Sequence, residues 1–180
     1  MTEKKQVIIE TASRLFHEHG FNNVGIKKIL DELGIPKGSF YHFFKSKDDL
    51  IYHIMDLYIS DTQHLIVNSP NTVEGIKKFF HTYFERLISM GLRGGCPVGN
   101  LILELSDEKE IYRLKLLEWN NLIENWIIEV LKNENIDDYL SKAKIILSLF
   151  EGVTMFSKLT KDEEYFKVFE NYIFCNLLKN

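Results

Sequence analysis

Apolar residues recur along the whole chain at intervals of three and four positions, which is the spacing of one face of an α-helix. Ile8, Ala12, Leu15 and Phe16 show this spacing in the first segment. No segment shows the sustained alternation of apolar and polar residues that is typical of a β-strand. The pattern therefore predicts an all-α protein.

Glycine, proline and capping residues divide this pattern into separate helices. Ser46, followed by two aspartates at positions 48 and 49, resembles a capping box, and Thr72 is a second candidate cap. Ser106-Asp107 is a third, after an apolar segment over 101–105 that follows several glycines. The helices are expected over about residues 4–19, 25–33, 36–43, 46–68, 72–92, 106–133, 136–158 and 162–178.

The composition is that of a folded protein, with 45% hydrophobic and 27% charged residues among 180. No window approaches the roughly 18 apolar residues that a membrane span needs, and the first ten residues do not form a signal peptide. Two cysteines are too few for a disulfide scaffold or a structural zinc site. We therefore expect a cytoplasmic protein without a bound metal or cofactor.

Charge is distributed unevenly between the two ends of the chain. Residues 1–50 carry 8 basic and 7 acidic side chains, whereas residues 51–180 carry 14 and 19. The overall charge of −4 does not suggest a nucleic-acid binder. A local basic segment changes this view, because five lysines fall within 27–47: Lys27, Lys28, Lys37, Lys45 and Lys47.

The helices predicted over 25–33 and 36–43 are short, and a glycine turn at Gly34 joins them. Together with the helix before them they match a helix-turn-helix unit, whose second helix enters the major groove of DNA. Ile35, Phe40 and Phe44 are spaced to form the buried face of that helix. The opposite face is then free for DNA.

The candidate DNA-binding residues lie on this opposite face and at the flanking helix starts. Gly38 lets the backbone approach a phosphate, and Lys47 adds a cation at a helix N-terminus. Hydrogen-bond donors that reach the backbone and base edges are Ser39, Tyr41 and His42, and further cations are Lys27, Lys28 and Lys37. The alternative is a solvated surface turn, but the helix lengths and the glycine and aromatic positions agree with DNA binding.

The sequence over about residues 5–55 resembles the DNA-binding domain of TetR/AcrR-family transcriptional regulators. The resemblance is carried by Leu15-Phe16, Gly20-Phe21 and the run Gly34-Ile35-Pro36-Lys37-Gly38-Ser39-Phe40-Tyr41-His42-Phe43-Phe44-Lys45-Ser46-Lys47. It implies that Tyr41 contacts a phosphate. Val24 stands where the family often has Thr, and Gly25 replaces a common Ser, although the backbone N–H of Gly25 can still bind a phosphate.

The resemblance also implies a fold and a function for the whole chain. The expected protein has an N-terminal three-helix helix-turn-helix domain over 1–50 and a C-terminal helical domain over 51–180 that binds an effector and dimerises. It is expected to be a homodimeric regulator, usually a repressor, which binds a palindromic double-stranded DNA operator on the bacterial nucleoid and is released by a small molecule. Nothing in the sequence suggests an enzyme, since no phosphate-binding glycine loop, metal spacing or acid–base pair is present.

Two sets of apolar residues are candidates for the C-terminal functions. Aromatic residues that could line an effector pocket, or simply form the core, are Phe79, Phe80, Tyr83, Phe84, Tyr112, Trp119, Trp126, Phe150 and Phe156. The last two predicted helices carry apolar stripes that suggest a dimer interface: Ile145, Leu149, Gly152, Val153, Phe166, Phe169 and Ile173.

Cys96 is a candidate sensor of electrophiles or oxidants. The run Gly94-Gly95-Cys96-Pro97-Val98-Gly99-Asn100-Leu101, with Glu104, resembles a signature of one branch of the family in which some members respond to reactive carbonyl compounds. Sensing needs an exposed thiolate, which nearby Arg93 or a helix N-terminus would favour. The alternative is a small packed residue, and Cys175 is expected to lie in the core or in an interface.

Overall fold

The computed structural model describes residues 3–178, which form nine α-helices and a final π-helical turn. The predicted all-α fold is confirmed, because these residues contain no β-strand. The elements are α1 Glu3–His19, α2 Ile26–Leu33, α3 Lys37–Phe43, α4 Lys47–Val67, α5 Val73–Ser89, α6 Pro97–Leu105, α7 Glu110–Asn133, α8 Tyr139–Thr160, α9 Glu164–Tyr172 and the π-helical turn Ile173–Leu177.

Several helix ends follow the residues that predicted them. Gly34 ends α2 in the left-handed region at φ +64°, where its backbone N–H bonds the carbonyls of Asp31 and Leu30. Ser46 caps α4 by accepting a hydrogen bond from the backbone N–H of Asp49 at 3.1 Å. Thr72 caps α5 in the same way, by accepting from the N–H of Gly75 at 3.2 Å. Local hydrogen bonding is sufficient to fix these ends.

The apolar segment over 101–105 belongs to α6, which starts at Pro97 because proline suits the first position of a helix. Two other predicted boundaries were wrong. Helix α7 starts at Glu110, so Ser106-Asp107 does not cap it. Helix α8 starts at Tyr139 instead of residue 136, since Asn135 and Asp138 both adopt positive φ.

Helices α1, α2 and α3 form the N-terminal unit around a small apolar core. Ala12, Ile29 and Phe40 are fully buried in it, and Phe44 lies 5.3 Å from Phe40 between ring centroids. Helix α4 packs against α1 and continues from this unit along α7. The predicted domain boundary at residue 50 thus falls within one continuous helix, which joins the two parts of the chain.

The core of the C-terminal part is a cluster of aromatic rings from α5, α8 and α9. Phe80 lies 5.2 Å from Phe150 and 5.1 Å from Phe169 between ring centroids. Phe84 stacks on Phe166 at 4.2 Å. These rings pack against one another, so their large apolar area is removed from water within the chain itself.

This packing bears on two of the predictions from sequence. Apart from Phe156, the proposed pocket residues are core side chains or, for Tyr83, packed against the core, as the alternative interpretation expects: Phe79, Phe80, Tyr83, Phe84, Tyr112, Trp119, Trp126 and Phe150. Of the proposed interface residues, three are buried inside the chain and form no outer surface: Phe166, Phe169 and Ile173. Helical spacing identifies a buried face but does not tell whether the partner is the same chain or another.

Candidate functional site

Helix α3 presents a row of polar side chains on the surface of the N-terminal unit. Lys37, Tyr41 and His42 are exposed, and Ser39 is half-buried. The helix is fixed from below by Phe40, whose ring is fully buried and meets the Tyr41 ring edge-on at 5.3 Å. Since the inward face is anchored, the outward side chains have a defined direction.

A groove between α2 and α3 brings the predicted cations of this surface together. Lys27, Lys37, Tyr41 and Lys47 all line it. Lys28 is exposed on α2 but does not line this groove. The arrangement concentrates positive charge beside the exposed edge of α3, as binding to a phosphate backbone requires.

The two glycines of the predicted site lie at open positions. Gly25 is the residue immediately before α2, and Gly38 lies in the first turn of α3. A side-chain carbon built on either residue would meet nothing within 4 Å. Their backbones are therefore accessible to a large polyanion without interference from the rest of the chain.

The structure gives Lys47 a different position from the one expected. Its ammonium donates a hydrogen bond to the backbone carbonyl of Phe21 and lies 3.8 Å from the centre of the Phe21 ring. Partial burial lowers the pKa of Lys47, with Glu104 and Asp48 acting in the opposite direction. In this structure Lys47 thus holds the loop between α1 and α2, and its ammonium is not directed to a free surface site.

A second feature lies in the C-terminal part, between α6 and α8. It is a cavity of about 720 Å³, open on one side. The α6 side includes Cys96, Gly99, Asn100, Ile102 and Leu103, and the α8 side includes Glu151, Gly152, Met155, Phe156 and Leu159. The volume is that of a site for a small organic molecule. Of the nine aromatic residues predicted for the pocket, only Phe156 lines this cavity.

Cys96 lies buried at the start of α6, beside this cavity. Its Sγ accepts hydrogen bonds from the backbone N–H of Gly99 at 3.2 Å and from the hydroxyl of Tyr83 at 3.4 Å. Burial is the main cause that raises the pKa of Cys96 well above its usual value, and the nearby carboxyl of Glu151 raises it further. The position at a helix N-terminus favours a thiolate, but burial outweighs it here. Cys175 is exposed, so of the two expected positions, core or interface, it does not occupy the core.

Glu151 on α8 is the acid of this region, and it is partly buried. Its Oε1 is shielded from water and has no hydrogen-bond partner among the described residues. Its Oε2 occupies the space that a side chain at position 99 would fill, only 2.2 Å from a carbon built there on Gly99. Burial raises the pKa of Glu151, an effect that the Cys96 thiol partly offsets.

The start of α6 also contacts the N-terminal unit. Nε2 of His17, near the end of α1, donates a hydrogen bond to the carbonyl oxygen of Gly95 at 2.8 Å. Burial lowers the pKa of His17, so the neutral ring is favoured. Farther along α6, Oε2 of Glu104 accepts from the backbone N–H of Asn22 at 3.1 Å. Helix α6 and the residues just before it therefore border the cavity and also contact the N-terminal unit.

Sequence reasoning did not identify His17, Glu151 or, apart from Cys96 and Phe156, the functional role of the residues that line the cavity. Glu151 is an acidic residue within an otherwise apolar stretch of α8, and this was the available indication. Within residues 3–178, no three His, Cys, Asp or Glu side chains are grouped so that they could hold a metal ion. In the same range no helix is both long enough and apolar enough to span a bilayer.

Two family models match the chain. Residues 8–54 match the model of bacterial regulatory proteins of the tetR family, and residues 72–172 match the C-terminal domain of LmrA/YxaF-like transcriptional regulators. An uncharacterised regulator of the helix-turn-helix type, YxaF of Bacillus subtilis, is 30% identical over 89% of this chain and 88% of its own length. The repressor DhaR of a Mycobacterium strain is 26% identical over 98% and 93%.

Solved structures show the same fold. A TetR transcriptional regulator from Legionella pneumophila superposes with a TM-score of 0.88 at 23% identity, over 99% of both chains. The reduced form of NemR from Escherichia coli superposes with a TM-score of 0.81 at 20% identity, over 96% of both chains. These similarities support the architecture of the whole chain.

Proposed function

Because this chain belongs to the TetR family of bacterial transcriptional regulators, we propose that it is a homodimeric repressor released from a palindromic operator by a small effector. The observation that carries the proposal is the surface of α3, where exposed polar side chains lie above the buried ring of Phe40. Regulators of this family bind DNA and are not typically enzymes. The repressor would act on the bacterial nucleoid.

The DNA contacts divide into phosphate contacts and base contacts. Lys27, Lys28 and Lys37 supply phosphate-binding cations around α2 and α3, and Tyr41 supplies a hydroxyl. The backbone N–H groups of Gly25 and Gly38 approach the phosphates where no side chain intervenes. Ser39 and His42 face the base edges of the major groove. Lys47 contributes through the position of its helix and not through its ammonium.

The dimer is proposed to form through the outer faces of α8 and α9. Large apolar side chains that do not line the cavity are exposed there: Ile145, Val168 and Tyr172. Leu149, Gly152 and Val153 lie partly buried on α8. Pairing two such faces gives a four-helix interface and places two recognition helices about 34–36 Å apart, so that they meet successive major grooves.

The effector is proposed to bind in the cavity between α6 and α8. A molecule that displaces the first turn of α6 would move Gly95, whose carbonyl binds His17 of the DNA-binding unit. The unit, and α4 with it, would then turn away from the spacing that the operator needs. To shift the dimer from 1:99 to 99:1, the effector must favour the released state by about 5.5 kcal/mol.

Selection of binding sites from random duplex DNA, repeated at several salt concentrations, tests the proposal. We expect an inverted repeat, with an affinity that falls steeply as salt rises because several phosphates are neutralised. Recovery of a single half-site would contradict the dimer. Weak binding without any motif, from protein refolded to remove a bound effector, would contradict the DNA-binding role.

The second candidate is a regulator switched by oxidation or alkylation of Cys96. Two observations favour it. Cys96 lies at the start of α6, two residues after Gly94. A solved structure with the same fold is the reduced form of NemR. Against it stands the burial that raises the pKa of the thiol. If operator release by the inducer persists in Cys96→Ser, the thiol is not the switch; if release is lost, the second candidate is favoured.

A further inference from the structure

The polar groups around the cavity between α6 and α8 are mostly engaged with one another. Asn100 Nδ2 donates to the carbonyl of Gly94 at 2.7 Å, and Thr154 Oγ1 donates to the carbonyl of Glu151 at 2.9 Å. Lys161 Nζ donates to the carbonyl of Leu92 at 2.9 Å. These donors fix the wall of the cavity and are not needed to recognise a ligand.

Glu151 differs from these groups because one carboxyl oxygen is buried without a partner. A buried carboxyl group that lacks a hydrogen bond or a counter-charge is costly, and most such groups in proteins are satisfied. Lys158 also lines the cavity, but it is exposed, and Oε1 of Glu151 accepts no hydrogen bond from it or from any other residue within 3–178. Among these residues that oxygen therefore has no cationic partner.

The remaining wall of the cavity is apolar. Ile102 and Leu103 come from α6, and Met155, Phe156 and Leu159 come from α8. Such a wall accommodates a hydrocarbon or aromatic body, and an aromatic ring at its edge also suits a cation. The site thus offers one acid and a large apolar surface.

We propose that the effector is a small apolar molecule with one protonated amine, and that Glu151 pairs with this amine inside the cavity. This inference rests on the proposed function, because it takes the cavity between α6 and α8 as the effector site. Charge pairing supplies the partner that the carboxyl group lacks, and the apolar body covers the walls formed by α6 and α8. Movement of Glu151 toward the amine would release Gly99, since the carboxylate lies against it at the start of α6.

The test uses three compounds with one skeleton: 4-phenylbutylamine, 4-phenylbutan-1-ol and 4-phenylbutanoate. Their binding to the purified protein is measured by calorimetry at pH 7. We expect the amine to bind at least about tenfold more tightly than the alcohol, and the carboxylate most weakly. Equal binding of amine and alcohol, preference for the carboxylate, or no saturable binding of the amine would overturn the inference.

Two variants and one control test whether the amine binds at Glu151 inside the cavity. Glu151→Gln keeps the shape of the side chain and should reduce the affinity for the amine to that for the alcohol, whereas Glu85→Gln on the exposed surface of α5 should change neither. Gly152→Leu should weaken both ligands, because a side chain at Gly152 has open space and this residue lines the cavity. Unchanged amine binding in Glu151→Gln, or in Gly152→Leu with the oligomeric state preserved, would contradict the assignment.

Operator binding is measured separately, by fluorescence anisotropy with the selected DNA. Specific operator binding without an amine preference would overturn only this inference. An amine preference at Glu151 without operator binding would overturn the proposed function and leave the amine site intact.

Discussion

The polar surface of α3, here called the recognition surface, and the cavity between α6 and α8 differ in which side chains face the solvent. Polar side chains are exposed on α3, whereas apolar side chains are exposed around the cavity. On α3 the aromatic residues Phe40 and Phe44 are inside, and the polar residues point to solvent. Around the cavity the apolar residues Leu103, Met155 and Leu159 are exposed, and the acid Glu151 has a shielded oxygen without a partner.

This difference corresponds to two kinds of ligand. A polyanion such as DNA is bound from outside by cations and donors that stay hydrated until the complex forms. A small molecule is bound by displacing water from apolar walls, with few polar groups to orient it. In this chain the buried rings of Phe40 and Phe44 support the outer surface of α3, whereas apolar side chains remain uncovered at the cavity.

The largest effect on stability is expected when an aromatic ring is removed from the core of the C-terminal part. Phe80→Ala should lower the free energy of unfolding by about 3–5 kcal/mol, because it leaves a cavity among Phe84, Phe150 and Phe169. Phe156→Ala, at a ring that is 44% exposed on the cavity wall, should cost about 1–2 kcal/mol. Urea denaturation of both variants measures the difference. Equal losses would show that the two regions are packed alike.

A smaller effect is expected from charge reversal on the recognition surface. Lys37→Glu should weaken operator binding by at least about 100-fold, or 2.7 kcal/mol, because both protomers then repel a phosphate. It should leave thermal stability within about 0.5 kcal/mol, since Lys37 is exposed. The matched control is Lys132→Glu, at the exposed end of α7. Operator affinity that survives in Lys37→Glu would remove α3 from the DNA contact.

The smallest effect concerns the acid beside the cavity and depends on pH. Burial raises the pKa of Glu151 in the folded protein, so the folded state holds this proton more firmly than the unfolded state. The wild type should therefore lose stability as pH rises from the ordinary glutamate value, near 4.3, through the raised folded value. Glu151→Gln has no such loss.

Thermal unfolding at pH 4.5 and pH 7.5 measures this contribution. The Tm of Glu151→Gln should exceed that of the wild type at pH 7.5, and the difference should shrink at pH 4.5. A difference of the same size at both pH values would mean that Glu151 does not titrate between them.

The amino-acid sequence by itself determined the helical class, the helix-turn-helix unit and the exposed residues of α3. These features depend on groups that are close in the chain. Gly34 ends α2 at positive φ, Ser46 and Thr72 cap the helices that follow them, and the spacing of Phe40 and Phe44 decides which face of α3 is buried. Local hydrogen bonds and helical periodicity act over a few residues, so they can be read from one segment.

The tertiary structure alone decided which apolar residues are core, which line a cavity and which remain on the surface. Phe166 and Phe169 look like interface residues in the sequence but pack on Phe84 and Phe80. Glu151 meets Cys96 and Gly99 across 50 or so residues of chain, and His17 reaches Gly95 across a separation of 78. Whether a side chain is covered, and whether space is left beside it, depends on how separate helices fill a shared volume, which no single segment specifies.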